Sequence, residues 1–129
     1  MPGSKSDYLE NKLLDHVLKN TSYTSPTTVY VGLYTVAPTD AGGGTEVSGN
    51  NYARESVSFA TASSGATSND AEVEFNTPSA TWGSVVAFGI FDALTSGNLL
   101  YWGDLTTPKT INSGDTVKFL TGEIDISES

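Results

Sequence analysis

Few residues of this sequence have the types and spacing that catalysis or metal binding would require. His16 is the only histidine, and the chain has no cysteine. A Ser–His pair or a histidine-containing metal site would therefore have to use His16. The sequence contains no HExxH zinc pattern, no GxSxG nucleophile turn and no EF-hand loop. We interpret His16 as a residue at the boundary of a helix's apolar side.

Two further features have simpler structural explanations. The glycine run at residues 42–44 resembles a phosphate-binding loop, but no Gly-Lys-Ser/Thr follows it and the next charged residue is Glu46. Glu72 and Glu74 share one side of a predicted strand, and alternating acids are typical of a solvated side. We predict no catalytic residues, no metal ligands and no cofactor site, and therefore no enzyme.

The composition excludes several other classes of protein. At about 150 residues per domain, 129 residues predict one domain. The net charge of −9 would repel nucleic acid, and the absence of cysteine excludes a disulfide framework. No apolar run approaches the roughly 20 residues of a membrane span. The N-terminus lacks the apolar core of a signal peptide, so we expect no export by that route.

Helical and strand periodicities divide the chain into an arm and a sandwich. Five apolar residues at helical spacing predict a helix capped by Ser6 or Asp7; they are Leu9, Leu13, Leu14, Val17 and Leu18. From Pro26 onward, six or seven short strands alternate with turns of glycine, serine, threonine and proline. We predict a mainly β fold, a single jelly-roll-like β-sandwich over residues 26–129, with one N-terminal helix in an arm over residues 1–25 of the same domain.

Three details of the strand pattern can be compared directly with the structure. The apolar run at residues 82–92 predicts a strand covered on both sides. Residues 106–114, which include Pro108, predict a loop. The apolar phase changes between Phe119 and Leu120, which indicates a β-bulge in the last strand.

The charge is distributed unevenly along the chain. Residues 1–19 are neutral, so the predicted sandwich carries the whole net charge. Lys5, Lys12 and Lys19 recur every seven residues, which predicts one narrow stripe on the helix. The favoured explanation of this stripe is a solvated helix edge; the alternative is an arm that presents a basic stripe and an apolar face to an acidic partner.

Short motifs spread over nearly the whole chain resemble a family of small bacteriophage and prophage structural proteins, whose members are commonly labelled tail-fibre-like. The motifs, in order, are SDYLENKLLDHVL from Ser6, YVGLYT from Tyr30, GTEVSG from Gly44, YAR from Tyr52, WG at Trp82, FGIFDA from Phe88, GNLLY from Gly97 and GD at Gly114. Proteins of this type also serve phages as head decoration, or cement, proteins. The resemblance therefore implies a virion structural protein.

From the resemblance and the compact size we expect a capsid decoration protein on the outer surface of the head, bound to the major capsid protein without catalysis. The expected partner interface comprises Leu9, Lys12, Leu13, His16 and Val17. The helix could instead pack on its own sandwich. The alternative function is a tail or tail-fibre component for host recognition, with tail proteins as partners or with exposed Trp and Tyr residues that bind host glycans. A third is a cytoplasmic accessory protein outside the virion. We expect a homo-oligomer, first a trimer, made in the host cytoplasm, with no nucleic acid or membrane partner.

Overall fold

The computed structural model describes residues 4–128, which contain one helix and ten strands. Ser6 precedes the helix as its N-cap, in agreement with the predicted start. The elements in chain order are β1 (Ser4–Lys5), α1 (Asp7–Leu18), β2 (Val29–Val36), β3 (Thr45–Glu46), β4 (Glu55–Val57), β5 (Ala66–Ser68), β6 (Val73–Glu74), β7 (Gly83–Phe91), β8 (Leu99–Ile111), β9 (Lys118–Phe119) and β10 (Asp125–Ser127). Among the described residues, no helix is long and apolar enough to cross a bilayer.

The strands form one six-stranded sheet and two small two-stranded sheets, all antiparallel. The large sheet has the order β1-β8-β7-β2-β3, and β4 also pairs with β2. The small sheets pair β5 with β10 and β6 with β9. Together they give a mainly β, sandwich-like arrangement with one N-terminal helix, which confirms the predicted fold class.

The main core lies on one face of the large sheet, where the small sheets cover it. Leu33 of β2 and Phe88 of β7 are opposite each other in register and almost fully buried. Phe119 of β9 contacts both Phe88 and Phe75 edge-on, with ring centroids 6.4 and 6.2 Å away. Since β7 is central and buried on both faces at its second half, the strand predicted from residues 82–92 is confirmed.

The opposite face of the large sheet carries a smaller apolar cluster built around a pair of glycines. Gly32 of β2 is opposite Gly89 of β7. A Cβ on Gly89 would lie 2.9 Å from the Tyr34 ring, so glycine leaves the space that this ring occupies. Tyr34 stacks on Phe91 at 6.2 Å between ring centroids. The paired glycines therefore make a groove across the sheet in which the aromatic rings lie.

The loop predicted for residues 106–114 is wrong for residues 106–111, because β8 continues to Ile111. Asp104 is opposite Ala87 and Lys109 is opposite Val85, so residues 105–108 bulge opposite a single residue of β7. Pro108 falls within this bulge, where its missing N–H removes no ladder bond. Pairing then resumes and ends with Ile111 opposite Gly83.

Two other expectations from local spacing are also wrong. The phase change after Phe119 is a turn rather than a bulge: Glu123 N–H donates to the Leu120 carbonyl, and β10 follows. The lysine stripe does not form, because only Lys12 lies within α1. Lys5 belongs to β1 and Lys19 caps the helix end. Helical spacing cannot place residues that fall outside the helix.

A polar cluster ties both ends of the described chain to β8. Lys5 of β1 is opposite Tyr101 of β8 and forms an ion pair with Glu128. The Tyr101 hydroxyl donates to Glu128 Oε1 at 2.5 Å. Burial alone would raise the pKa of Glu128, but the hydrogen bonds from Lys5 and Tyr101 and the lysine charge outweigh burial and hold this pKa below its ordinary value.

Glu128→Gln tests this cluster through the pH dependence of stability. Since the pKa of Glu128 is lower in the folded state, its stabilising contribution is present above about pH 4.5 and is lost as the pH falls below that value. The pair is partly exposed, so the variant should lose at most about 1 kcal/mol at neutral pH. Chemical denaturation at neutral pH and near pH 3 measures this. An equal loss at both pH values would contradict the assignment.

Candidate interaction surface

Helix α1 is joined to the large sheet at Ser6, which is 2% exposed. The Ser6 backbone N–H donates to the Leu100 carbonyl at 2.8 Å, and its hydroxyl donates to the Leu99 carbonyl at 2.5 Å. The same hydroxyl accepts the Leu9 N–H at 3.2 Å and so caps the helix. One serine therefore fixes both the position and the start of the helix relative to β8.

The helix buries its first turn and leaves its apolar second half in solvent. Leu9 is 5% exposed and Leu13 is half-buried. Leu14, Val17 and Leu18 are 55%, 72% and 75% exposed. These three residues follow i, i+3, i+4 spacing and lie together on one side of the helix. We call them the exposed helix face.

The five residues predicted as a partner interface are not brought together on this face. Leu9 docks inward, Leu13 is half-buried, and Val17 belongs to the exposed helix face. Lys12 and His16 are exposed, but at about 100° per residue they lie on the side of α1 away from Leu14. Lys12 sits 5.7 Å from the centroid of the Tyr8 ring.

His16 has a structural contact at the end of the helix. Its Nδ1 accepts the Tyr23 backbone N–H at 3.3 Å, and the Lys19 and Thr21 N–H groups both donate to the Asp15 carbonyl. Asn20 has a φ of 55°, which turns the chain back after α1. Across residues 4–128, no group of three or more His, Cys, Asp or Glu side chains is placed to hold a metal ion.

A buried polar network at the edge of β2 was not predicted from the sequence. β4 pairs with residues 29–31 of β2, and β3 pairs with Tyr34 and Val36. Between them the Tyr52 hydroxyl accepts the Leu33 N–H at 2.9 Å and donates to Glu46 Oε2 at 2.7 Å. The hydroxyl thus accepts the Leu33 N–H in place of the carbonyl of a neighbouring strand. Burial first, and then the bond to Glu46, raise the pKa of Tyr52 far above its ordinary value.

Arg54 completes this network and uses its guanidinium on four acceptors. Nε and one terminal nitrogen bind the two Glu46 oxygens at 2.9 and 2.8 Å. The other terminal nitrogen donates to the carbonyls of Ala93 and Ser96. The guanidinium also lies 3.5 Å from the Phe91 ring centroid. The Arg54 guanidinium and the Glu46 carboxylate are thus both occupied by contacts within the fold. The network joins β3, β4 and the turn after β7.

The tryptophan residues serve mainly in packing and loop attachment. Trp82 is buried, contacts Tyr52 edge-on at 5.3 Å and donates its indole N–H to the Asn50 carbonyl. Trp102 is half-buried and donates its indole N–H to Asp40 Oδ1 at 2.9 Å. The Asp40 carbonyl also accepts the Asp7 N–H, which attaches the loop before β3 to the start of α1.

The fold and its surfaces define a small, acidic, mainly β protein that presents an apolar helix face to solvent. Residues 4–127 match the sequence model of a family described as podophage GP4 fiber I protein gp80. The chain therefore belongs to this family, which confirms the resemblance to small phage virion structural proteins. No curated protein gives a match.

Replacing Arg54 tests the buried network. Arg54→Met should cost about 2–4 kcal/mol of unfolding free energy, because it leaves the Glu46 carboxylate and two carbonyls without their charged donor. Chemical denaturation measures this loss. Glu72→Gln is the matched control: it removes the exposed Lys118–Glu72 pair and should cost under about 1 kcal/mol. Equal losses in the two variants would contradict the role of the network.

Gly32→Ala tests the space beneath the same network. A Cβ at this position would lie 2.7 Å from Glu46 Oε2 and 3.0 Å from the Tyr52 hydroxyl oxygen. The carboxylate would have to move, so we expect a loss of about 1–3 kcal/mol in denaturation. Gly114→Ala is a poor control because its φ is positive. Ser84→Ala, at an exposed position of β7, is the appropriate one and should leave stability nearly unchanged.

Proposed function

We propose that this protein is a non-catalytic subunit of a virion fibre, held in the particle by contact between its exposed helix face and a neighbouring subunit. The exposed helix face carries the proposal. Leu14, Val17 and Leu18 stand in solvent on a helix whose base is fixed by Ser6. Membership of a fibre protein family supports a place in a fibre.

The energetics favour a contact of this kind. Full burial of one aliphatic side chain contributes about 1.5–3 kcal/mol, so three adjacent ones can supply most of a modest interface. The helix does not need to refold to bind, because its first turn is already docked through Leu9. Many copies in one particle would add avidity to a modest single contact.

This proposal changes the composition of the interface expected from the sequence. Val17 remains part of it, and Leu14 and Leu18 replace Leu9, whose side chain is buried within the chain's own fold. Leu13 lies at the margin. Lys12 and His16 are on the far side of the helix and would contact a partner only if it wrapped around α1.

Capsid decoration is the second candidate function, with the major capsid protein as partner. The observation that favours it is the compact form of residues 4–128, which contain no elongated shaft and would suit repeated docking on a shell. The number of copies and trimeric assembly stay predictions under either function.

The position of the protein on the particle separates the two functions. Immunogold labelling or particle reconstruction of purified virions should place the protein in fibres, at a few symmetry-related positions. Hundreds of copies spread over the head would support decoration instead and contradict the fibre proposal. Absence from purified virions would contradict both.

Substitution on the exposed helix face tests the mode of attachment. Val17→Asp combined with Leu18→Asp should lower incorporation into particles at least about tenfold, since two carboxylates would enter an apolar contact. Leu94→Asp is the matched control at a 50% exposed leucine in the turn after β7. Deleting residues 1–20 is less suitable, because β1 and Leu9 are part of the fold. Full occupancy of the double variant, measured by quantitative mass spectrometry of virions, would contradict the proposal.

A further inference from the structure

We propose that the neighbouring subunit is a second copy of this chain, and that the exposed helix face of one copy docks into an apolar cleft on the next. This inference rests on the proposed function, since it names the partner of the same helix face. The cleft and the helix face are different surfaces, so the contact would join copies head to tail.

The cleft opens between the large sheet and the segment that leads into β9. Its volume is about 260 Å³. Its floor is formed by the buried core residues Leu33, Val85 and Ile111, and its partly exposed apolar walls by Leu105, Val117 and Phe119. A cavity of about 150 Å³ holds one benzene molecule, so this cleft has room for about two aliphatic side chains. The bulge at residues 105–108 forms one wall of the cleft through Leu105.

The charges around the cleft complement those beside the exposed helix face. After Lys19 the sequence has three cationic residues, Arg54, Lys109 and Lys118. Arg54 is paired with Glu46, and its side chain is 8% exposed. The two lysines both line the cleft, beside Asp115, and are exposed. Lys118 also pairs with Glu72 at 3.5 Å, so Lys109 is the lysine that a partner's carboxylate can approach without displacing that pair. The exposed lysines of the acidic sandwich therefore both lie at this cleft.

The helix face supplies the matching negative charge. Glu10 precedes Leu14 by one turn and lies nearly in line with it, and Asp15 flanks Leu18 at i, i+3 spacing. Docking would bring these carboxylates towards Lys109 and Lys118. Against the rest of the acidic sandwich, the same carboxylates would be repelled, which favours the cleft over other apolar contacts.

The helix of one copy does not reach the cleft of the same copy. Ser6 fixes the start of α1 beside Leu99 and Leu100, at the first end of β8. Leu14, Val17 and Leu18 are 55%, 72% and 75% exposed, and none of the three lines the cleft of its own copy. With α1 held in this position, contact between these surfaces requires two molecules.

A contact between two different patches has a consequence for assembly. Each copy offers one helix face and one cleft, so binding at one leaves the other open. Such heterologous contacts propagate as open filaments unless the rotation closes a ring. Head-to-tail contact is therefore an economical way for a small sandwich to build an extended fibre.

Two variants of the full chain test this arrangement. The helix variant combines Val17→Asp with Leu18→Asp, and the cleft variant combines Lys109→Glu with Lys118→Glu. Wild-type protein should form concentration-dependent oligomers in sedimentation velocity. Each variant alone should associate about 10- to 100-fold more weakly. In an equimolar mixture, the intact helix face of one variant can meet the intact cleft of the other. The mixed pair should therefore bind more tightly than either variant binds to itself.

In this mixture the cleft variant supplies an intact helix face and the helix variant supplies an intact cleft. The two chains together therefore contain one complete contact. They should form a 1:1 heterodimer that grows no further. Leu94→Asp is the control and should oligomerise like wild type. A cleft variant that still oligomerises would show helix-to-helix pairing, and a wild-type chain that stays monomeric would exclude the contact; either result overturns the inference.

These outcomes are separate from failure of the proposed function. A chain that is monomeric in solution but present in virion fibres would overturn self-assembly through the cleft and leave the fibre role intact. A chain that oligomerises head to tail but is absent from virions would overturn the fibre role and leave self-assembly through the cleft intact.

Discussion

The bidentate ion pair between Arg54 and Glu46 is the interaction on which the rest of the structure depends, because it closes the edge of β2 where no strand runs. Two short strands, β3 and β4, pair with different parts of β2, and the Tyr52 hydroxyl fills the gap between them. Arg54 also binds the turn after β7, so the two central strands are held at the same end. The glycine at residue 32 is required because a Cβ would displace the carboxylate.

With the sheet fixed in this way, a small number of contacts is enough to attach the helix. Ser6 bonds to β8 and caps α1 with the same hydroxyl, and Leu9 buries the first turn. Leu13 is half-buried in the next turn, and Leu14 and Leu18 stay in solvent. Lys109 and Lys118 line the cleft, and neither Arg54 nor Glu46 does. The proposed attachment surfaces and the structural network are therefore separate parts of one small fold.

The features that could be predicted from the sequence depend on local periodicity, and those that could not depend on distant contacts. The helix from Asp7 and the central strand β7 follow from spacing and caps within a few residues. The continuation of β8 past Pro108 depends on its register with β7. Nothing local marks Glu46 as the partner of Arg54. For the site, the sequence placed both Val17 and Leu9 in a partner interface; Val17 is exposed, but helical spacing alone could not show that Leu9 faces inward.

Engineered cysteines provide the most direct test of the central claim, because the chain has none of its own. Leu18→Cys marks the helix face and Thr116→Cys marks the wall of the cleft. Under mild oxidation, a chain that carries both should form a ladder of disulfide-linked multimers, and a mixture of the two single variants should stop at a dimer. Efficient dimers of Leu18→Cys alone, or no ladder from the double variant, would contradict head-to-tail assembly.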